Sequence, residues 1–123
     1  MTDAGGPIDW ATYDALLKMT GDDHEFVDDL IDTYLSDAVD QLAALDAAIG
    51  AADVTALTRP AHSLKSSSVN VGALDLGRVG RELEEQGRAG QLEGAAKRVS
   101  DAHDRFEAVR AALLARRAED AGG

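Results

Sequence analysis

The sequence predicts an all-α fold: an antiparallel up-down-up-down four-helix bundle with a short additional N-terminal helix. Apolar residues recur at spacings of three and four along nearly the whole chain, and no stretch shows the β-branched alternation of a strand. The breaks between these periodic stretches are only a few residues long, which forces successive helices to run antiparallel. The 123 residues, 45% of them hydrophobic, suffice for one packed core. No linker, repeat or low-complexity segment divides the chain. A single domain spanning 1–123 is expected, with its core over about 9–117 and disordered tails at 1–7 and 118–123.

Each element has its own signals. A first short helix, Asp9 to Met19, turns Trp10, Tyr13, Leu16 and Leu17 to one side, and Gly21 lies just past its end. The second helix is expected to begin at Asp22, whose carboxylate can cap the free amides while Glu25 completes a capping-box-like pair. Its stripe is Phe26, Leu30, Ile31, Tyr34, Ala38, Leu42, Leu45 and Ile49, and it stops at Gly50. Asp53 is the expected cap of the third helix, which should end near Gly72 and bury Leu57, Ala61, Leu64, Ser68 and Val71. Pro60 conflicts with that helix, because it lacks the donor for the Ala56 carbonyl and crowds it, at a cost of about 3 kcal/mol in a regular helix. Val54 and Leu57 carry the stripe upstream of it, which favours a continuous, kinked helix over one that restarts at Pro60. A fourth helix, from about Leu74 to Arg88, places Leu76, Val79, Gly80 and Leu83 inward; Gly80 would admit a neighbouring helix closely, and Gly87 and Gly90 mark a fraying end. The fifth, from about Leu92 to Arg117, buries Ala95, Val99, Ala102, Phe106, Val109 and Leu113.

Charge narrows the function. With 23 acidic against 12 basic side chains the net charge is −11, which repels nucleic acid and anionic membranes, so neither is an expected partner. The first ten residues lack the basic start and apolar run of a signal peptide, and no stretch approaches the ~20 apolar residues that span a bilayer. A soluble, cytoplasmic, monomeric protein is expected. The absence of cysteine excludes disulfides and thiolate metal sites.

The segment Arg59-Pro60-Ala61-His62-Ser63-Leu64-Lys65-Ser66-Ser67-Ser68 carries the chemistry. With each residue turned by about 100°, Ala61, Leu64, Ser68 and Val71 fall within roughly 40° of Leu57, whereas His62 lies near 140°, Val69 near 120°, Ser66 near 180° and Arg59 near 200°. His62 therefore points to solvent, with Lys65 and Ser66 on the same helix face. From Val54 to Leu74 there is no acidic residue, although the chain average predicts about four, and the window holds Arg59 and Lys65 instead. Such a face suits a negative group. Ser66, Ser67 and Ser68 keep the surroundings small enough for a partner to close over the ring. Neutral imidazole is nucleophilic near its ordinary pKa of about 6.5 and attacks phosphorus without a separate base.

Ala61-His62-Ser63-Leu64-Lys65, then Ser67-Ser68, Val71-Gly72-Ala73-Leu74, Leu76 and Leu83-Glu84, resembles the histidine-containing phosphotransfer (HPt) domains of two-component phosphorelays, over roughly Asp9 to Arg117. The resemblance implies a four-helix bundle with no autokinase activity and no cofactor of its own. His62 would be phosphorylated on the ring nitrogen farther from the backbone, exchanging the group with aspartates of response-regulator receiver domains, and a hybrid histidine kinase is a further implied partner. The receiver would supply magnesium and most of the catalysis. Lys65 would stabilise the phosphoryl oxygens as a mobile point charge, and Arg59, Ser66 and Val69, together with Leu74, would contact the receiver. HPt domains usually carry glycine where this chain has Ser66, whose hydroxyl can bond back to the His62 carbonyl.

Other residues promise less. His24 reads as solvated, His103 as packing or surface, and Glu82, Glu84 and Glu85 as a solvated helix face. No glutamate precedes a histidine by three, and there is no zinc signature or Gly-rich phosphate loop. The alternative to a phosphocarrier is a non-catalytic helical module that binds a partner, with an incidental histidine.

Overall fold

A computed structural model describes residues 6–122. They form five α-helices: α1 (Trp10–Met19), α2 (His24–Gly50), α3 (Thr58–Asn70), α4 (Leu74–Ala89) and α5 (Ala95–Gly122), with a 3-10 turn at Val54–Leu57 ahead of α3. No strand occurs among the described residues. Each long helix packs on the next and α2 closes against α5, so α2 to α5 make the four-helix bundle with α1 laid on α2 and α3.

The core is one continuous cluster. Ile31, Tyr34, Ala38, Leu42 and Leu45 of α2 meet Leu57, Ala61 and Leu64, then Leu76, Val79 and Leu83 of α4, and Val99, Ala102, Phe106, Val109 and Leu113 of α5. One polar bond crosses it: the Tyr34 and Ser68 hydroxyls lie 2.8 Å apart, both buried, tying α2 to α3. Burial pushes the Tyr34 phenol up to about 12. Arg116 of α5 lies over the rings of Trp10 and Tyr13 and pairs with Asp14, which fastens α1 to the bundle. The Asp9 N–H donates to the Gly72 carbonyl at 2.7 Å; Gly72 has a φ of 91°, and a Cβ there would fall 2.7 Å from the Asp9 carbonyl oxygen, so only glycine fits this turn.

Several expectations are corrected. Helix α2 starts one residue later than predicted: Asp23 is the N-cap, its carboxylate accepting from the Phe26 N–H at 3.0 Å, and Asp22 sits in the left-handed region at φ 63°. Phe26 and Leu30 are exposed, and Val27 and Ala48 are buried in their stead. Pro60 does not kink a long helix. The 3-10 turn, capped by Asp53 on the Ala56 N–H, ends at Leu57, and α3 begins afresh at Thr58. Pro60 is then the third residue of α3, where no intrahelical acceptor awaits an N–H, so most of the penalty disappears. Gly87 is buried within α4 and does not fray, while Gly90 ends the helix with a φ of 69°. Residues 118–122, expected as a tail, continue α5, where Asp120 pairs with Arg116. Ile8 is buried at the edge of the expected tail, while positions 1–5 and 123 lie outside the described residues.

Candidate functional site

The site is built by the α3–α4 hairpin. Along α4, Gly77, Gly80, Glu84 and Gly87 fall at spacings of three and four and so form one row, which runs antiparallel against α3. A Cβ added at Gly77 would lie 2.8 Å from the Val69 side chain, at Gly80 3.0 Å from the Lys65 backbone nitrogen, and at Gly87 2.9 Å from the Thr58 backbone nitrogen. Three glycines thus bring the helix backbones together, and the row's one side chain enters the space between them. That side chain is Glu84.

Glu84 is 2% exposed, which overturns its expected place on a solvated face. Its Oε2 lies 2.8 Å from His62 Nδ1 and 2.7 Å from Arg88 Nη2, and its Oε1 accepts from Lys65 Nζ at 2.8 Å. A buried carboxylate without such partners would take up a proton. Here the Lys65 ammonium, then His62 and Arg88, hold its carboxyl below the usual carboxylate range against the opposing effect of burial. An ionised carboxylate only accepts hydrogen bonds, so Nδ1 of His62 must carry the proton. In the neutral ring the free lone pair is then on Nε2, and the side chain is 54% exposed.

The other predicted residues fall around this centre. Lys65 is half-buried and engaged by Glu84, not free in solvent. Arg59 is exposed, forms no ion pair among the described residues, and lines a shallow groove with Thr55, Thr58, His62, Glu84 and Arg88. Ser66 is exposed beside His62, and the serine that bonds back along α3 is Ser67, whose hydroxyl donates to the Ser63 carbonyl at 2.9 Å. Val69 and Leu74 are exposed apolar side chains at the far end of the same hairpin. His24 and His103 stand apart, near Asp120 and Asp46 respectively. Sequence reasoning missed the roles of Glu84 and Arg88: Glu84 falls within the stretch that resembles HPt domains but reads there as a solvated acid, and its place in the glycine row is the further signal of its burial.

No group of three or more His, Cys, Asp or Glu among the described residues could hold a metal ion. Nor is any described helix long and apolar enough to cross a membrane.

Comparisons with known proteins bear on the family and fold of this chain. The multistep phosphorelay regulator 1 of Schizosaccharomyces pombe is 32% identical over 95 residues, covering 76% of this chain and 32% of that protein. The chain thus spans about a third of the length of that curated relative. The crystal structure of histidine-containing phosphotransfer protein B from Pseudomonas aeruginosa PAO1 superposes with a TM-score of 0.84 at 32% identity, covering 92% of this chain and 96% of that one. A family model described as Hpt domain matches residues 29–120, which include the whole α3–α4 hairpin with His62 and Glu84, and the chain belongs to the Hpt domain family.

Proposed function

We propose that this chain is a phosphocarrier of a phosphorelay, in which His62 Nε2 takes a phosphoryl group from an aspartyl phosphate on a receiver domain and returns it to another. The observation that carries this reading is the half-exposed imidazole whose Nδ1 is fastened to a buried, ionised carboxylate. Fastening the ring on one side leaves a single nucleophilic nitrogen, aimed outward. The names of its relatives, a multistep phosphorelay regulator and a histidine-containing phosphotransfer protein, support it.

The step needs positioning and charge more than covalent help. Lys65, 2.8 Å from Glu84, can turn to the transferring oxygens while Arg88 stays on the carboxylate. Arg59 borders the groove beside the ring, and Ser66, Val69 and Leu74 offer small and apolar contacts to the partner. The chain serves as substrate and carrier and has no kinase activity of its own; a magnesium ion at the transferring group belongs to the receiver, which supplies most of the catalysis. The protein acts in the cytoplasm as a monomer, loaded by receivers and by a hybrid histidine kinase.

Incubation with a phosphorylated receiver tests this. Acid-labile label should appear on the wild type and be lost in His62→Gln with the far-UV circular dichroism unchanged. A folded wild type that takes no label from any receiver would leave only a helical interaction module.

A further inference from the structure

His62 as phosphoacceptor accounts for an exposed ring, but not for a buried glutamate beneath it. A neutral amide would orient the imidazole equally well, accepting the Nδ1 proton through its carbonyl. This chain instead buries a charge there, with two cations to keep it ionised. The charge matters once the phosphoryl group has arrived.

When Nε2 attacks phosphorus, the P–O bond of the donor breaks, its electron pair returns to the donor carboxylate, and a P–N bond forms. The ring becomes an N-phosphoimidazolium, with its positive charge shared by the Nδ1–H that donates to Glu84. In the return step an acceptor carboxylate attacks phosphorus and the P–N pair goes back to Nε2. If the Nδ1 proton is still in place, the ring leaves as neutral imidazole. Without that proton it must leave as imidazolate, a far poorer leaving group. We infer that Glu84 is the positioning residue that keeps the transfer reversible, holding the Nδ1 proton on phosphorylated His62 so that the ring departs neutral. The inference rests on the phosphocarrier reading above.

The neighbours of the ring decide the balance. From α4 come Glu84 and Arg88; from α3, Arg59 and Lys65; and from the turn and the start of α3, the neutral Thr55 and Thr58. No titratable group of α2 or α5 among the described residues is bonded to the ring. Among the described residues Glu84 is therefore the one anion opposing three cations at this spot, and the one group there that favours a cationic ring.

The full chain can be labelled with phosphoramidate, which releases ammonia as its phosphoryl group moves to Nε2. With the donor removed, the loss of label to water as orthophosphate is followed from about pH 6 to 9, bracketing the range in which imidazoles titrate. In Glu84→Gln the pH at which loss becomes fast should fall by about one unit, lengthening the lifetime at the alkaline end about tenfold, with onward transfer to a receiver slowed to match. Arg88→Gln should move the profile the other way, because it removes a cation and leaves the anion; its side chain is 66% exposed, so this variant keeps the test open if Glu84→Gln fails to fold. Opposite displacements support the inference. An unchanged profile in a folded Glu84→Gln, or both variants moving in the same direction, would reduce Glu84 to a structural prop. Absence of label from wild-type His62 would sink the phosphocarrier reading, and this inference with it.

Discussion

Gly80→Ala tests whether the close approach of α3 and α4 builds the site. Alanine is favoured over glycine in a helix interior by about 1 kcal/mol, so a solvent-facing position would be stabilised. At Gly80 the added methyl would meet backbone: 3.0 Å from the Lys65 nitrogen, 3.1 Å from the Ala61 carbonyl oxygen and 3.1 Å from the Lys65 Cα. Backbone cannot rotate aside, so the helices must part by a few tenths of an ångström. Such overpacking costs about 1–3 kcal/mol. The net loss should be about 1 kcal/mol, lowering Tm by about 4 °C. Gly80 lies one turn from Glu84, so the same displacement stretches the 2.8 Å bonds from Glu84 to His62 and Lys65. Labelling of His62 by a phosphorylated receiver should slow several-fold. Gly50→Ala is the control: nothing lies within 4 Å of its added Cβ, and it should gain up to about 1 kcal/mol. Thermal melts and labelling rates of both variants decide the matter. A Gly80→Ala protein that gains stability as Gly50→Ala does, with labelling unchanged, would refute the tight hairpin as the source of the geometry.

Tyr34→Phe should cost about 1–3 kcal/mol in denaturant unfolding, since it strands the buried Ser68 hydroxyl; in Tyr34→Phe with Ser68→Ala the loss should be well below the sum of the two single changes. The carboxyl of Glu84 titrates lower in the folded chain than in the unfolded one, so its contribution to stability is complete above the unfolded value of about 4.3 and is lost as pH falls through the folded value. The stability difference between wild type and Glu84→Gln should therefore shrink on acidification below about pH 4, and a gap that widens there would contradict the assignment. Ser66→Gly should leave labelling of His62 intact, because the Ser66 side chain is exposed and the back-bonded hydroxyl belongs to Ser67. Complete loss of label would reveal a role for the Ser66 hydroxyl.

How far the sequence could be read depended on whether a residue's environment lies within its own helix. The buried stripe of α3, from Ala61 to Ser68, and the full stripe of α5 follow from periodicity, because each face is set by its own residues. Periodicity was ambiguous at the start of α2. Phe26 with Leu30 and Val27 with Ile31 are both pairs spaced by four, and the inward pair is the one in phase with Tyr34 and Ala38. The cap there lay between two adjacent aspartates, and the backbone decided it by placing Asp22 in the left-handed region. At Pro60 the apolar stripe read correctly, since Leu57 is buried, but a 3-10 turn carries the same stripe without a continuous helix.

Glu84 marks the deeper limit. Beside Glu82 and Glu85 it looks like one more solvated acid, and the acid-free window from Val54 to Leu74 suggested a face without any carboxylate. Chain-local counting cannot show that a carboxylate 22 residues beyond His62 is inserted into that face. What places it there is the register of two antiparallel helices, and that register is written in α4 itself. Gly77 meets Val69, Gly80 meets Lys65 and Gly87 meets Thr58, so position 84 must fall opposite the turn of α3 that contains His62. A row of glycines interrupted by one glutamate is a costly pattern in a helix, since each glycine forfeits about 1 kcal/mol relative to alanine. The pattern is intelligible when the glycines let the backbones close and the glutamate holds the imidazole that the closure delivers. The acid-free window on α3 then has a different meaning: it leaves the ring with one carboxylate as its counter-charge, held in place by the neighbouring helix.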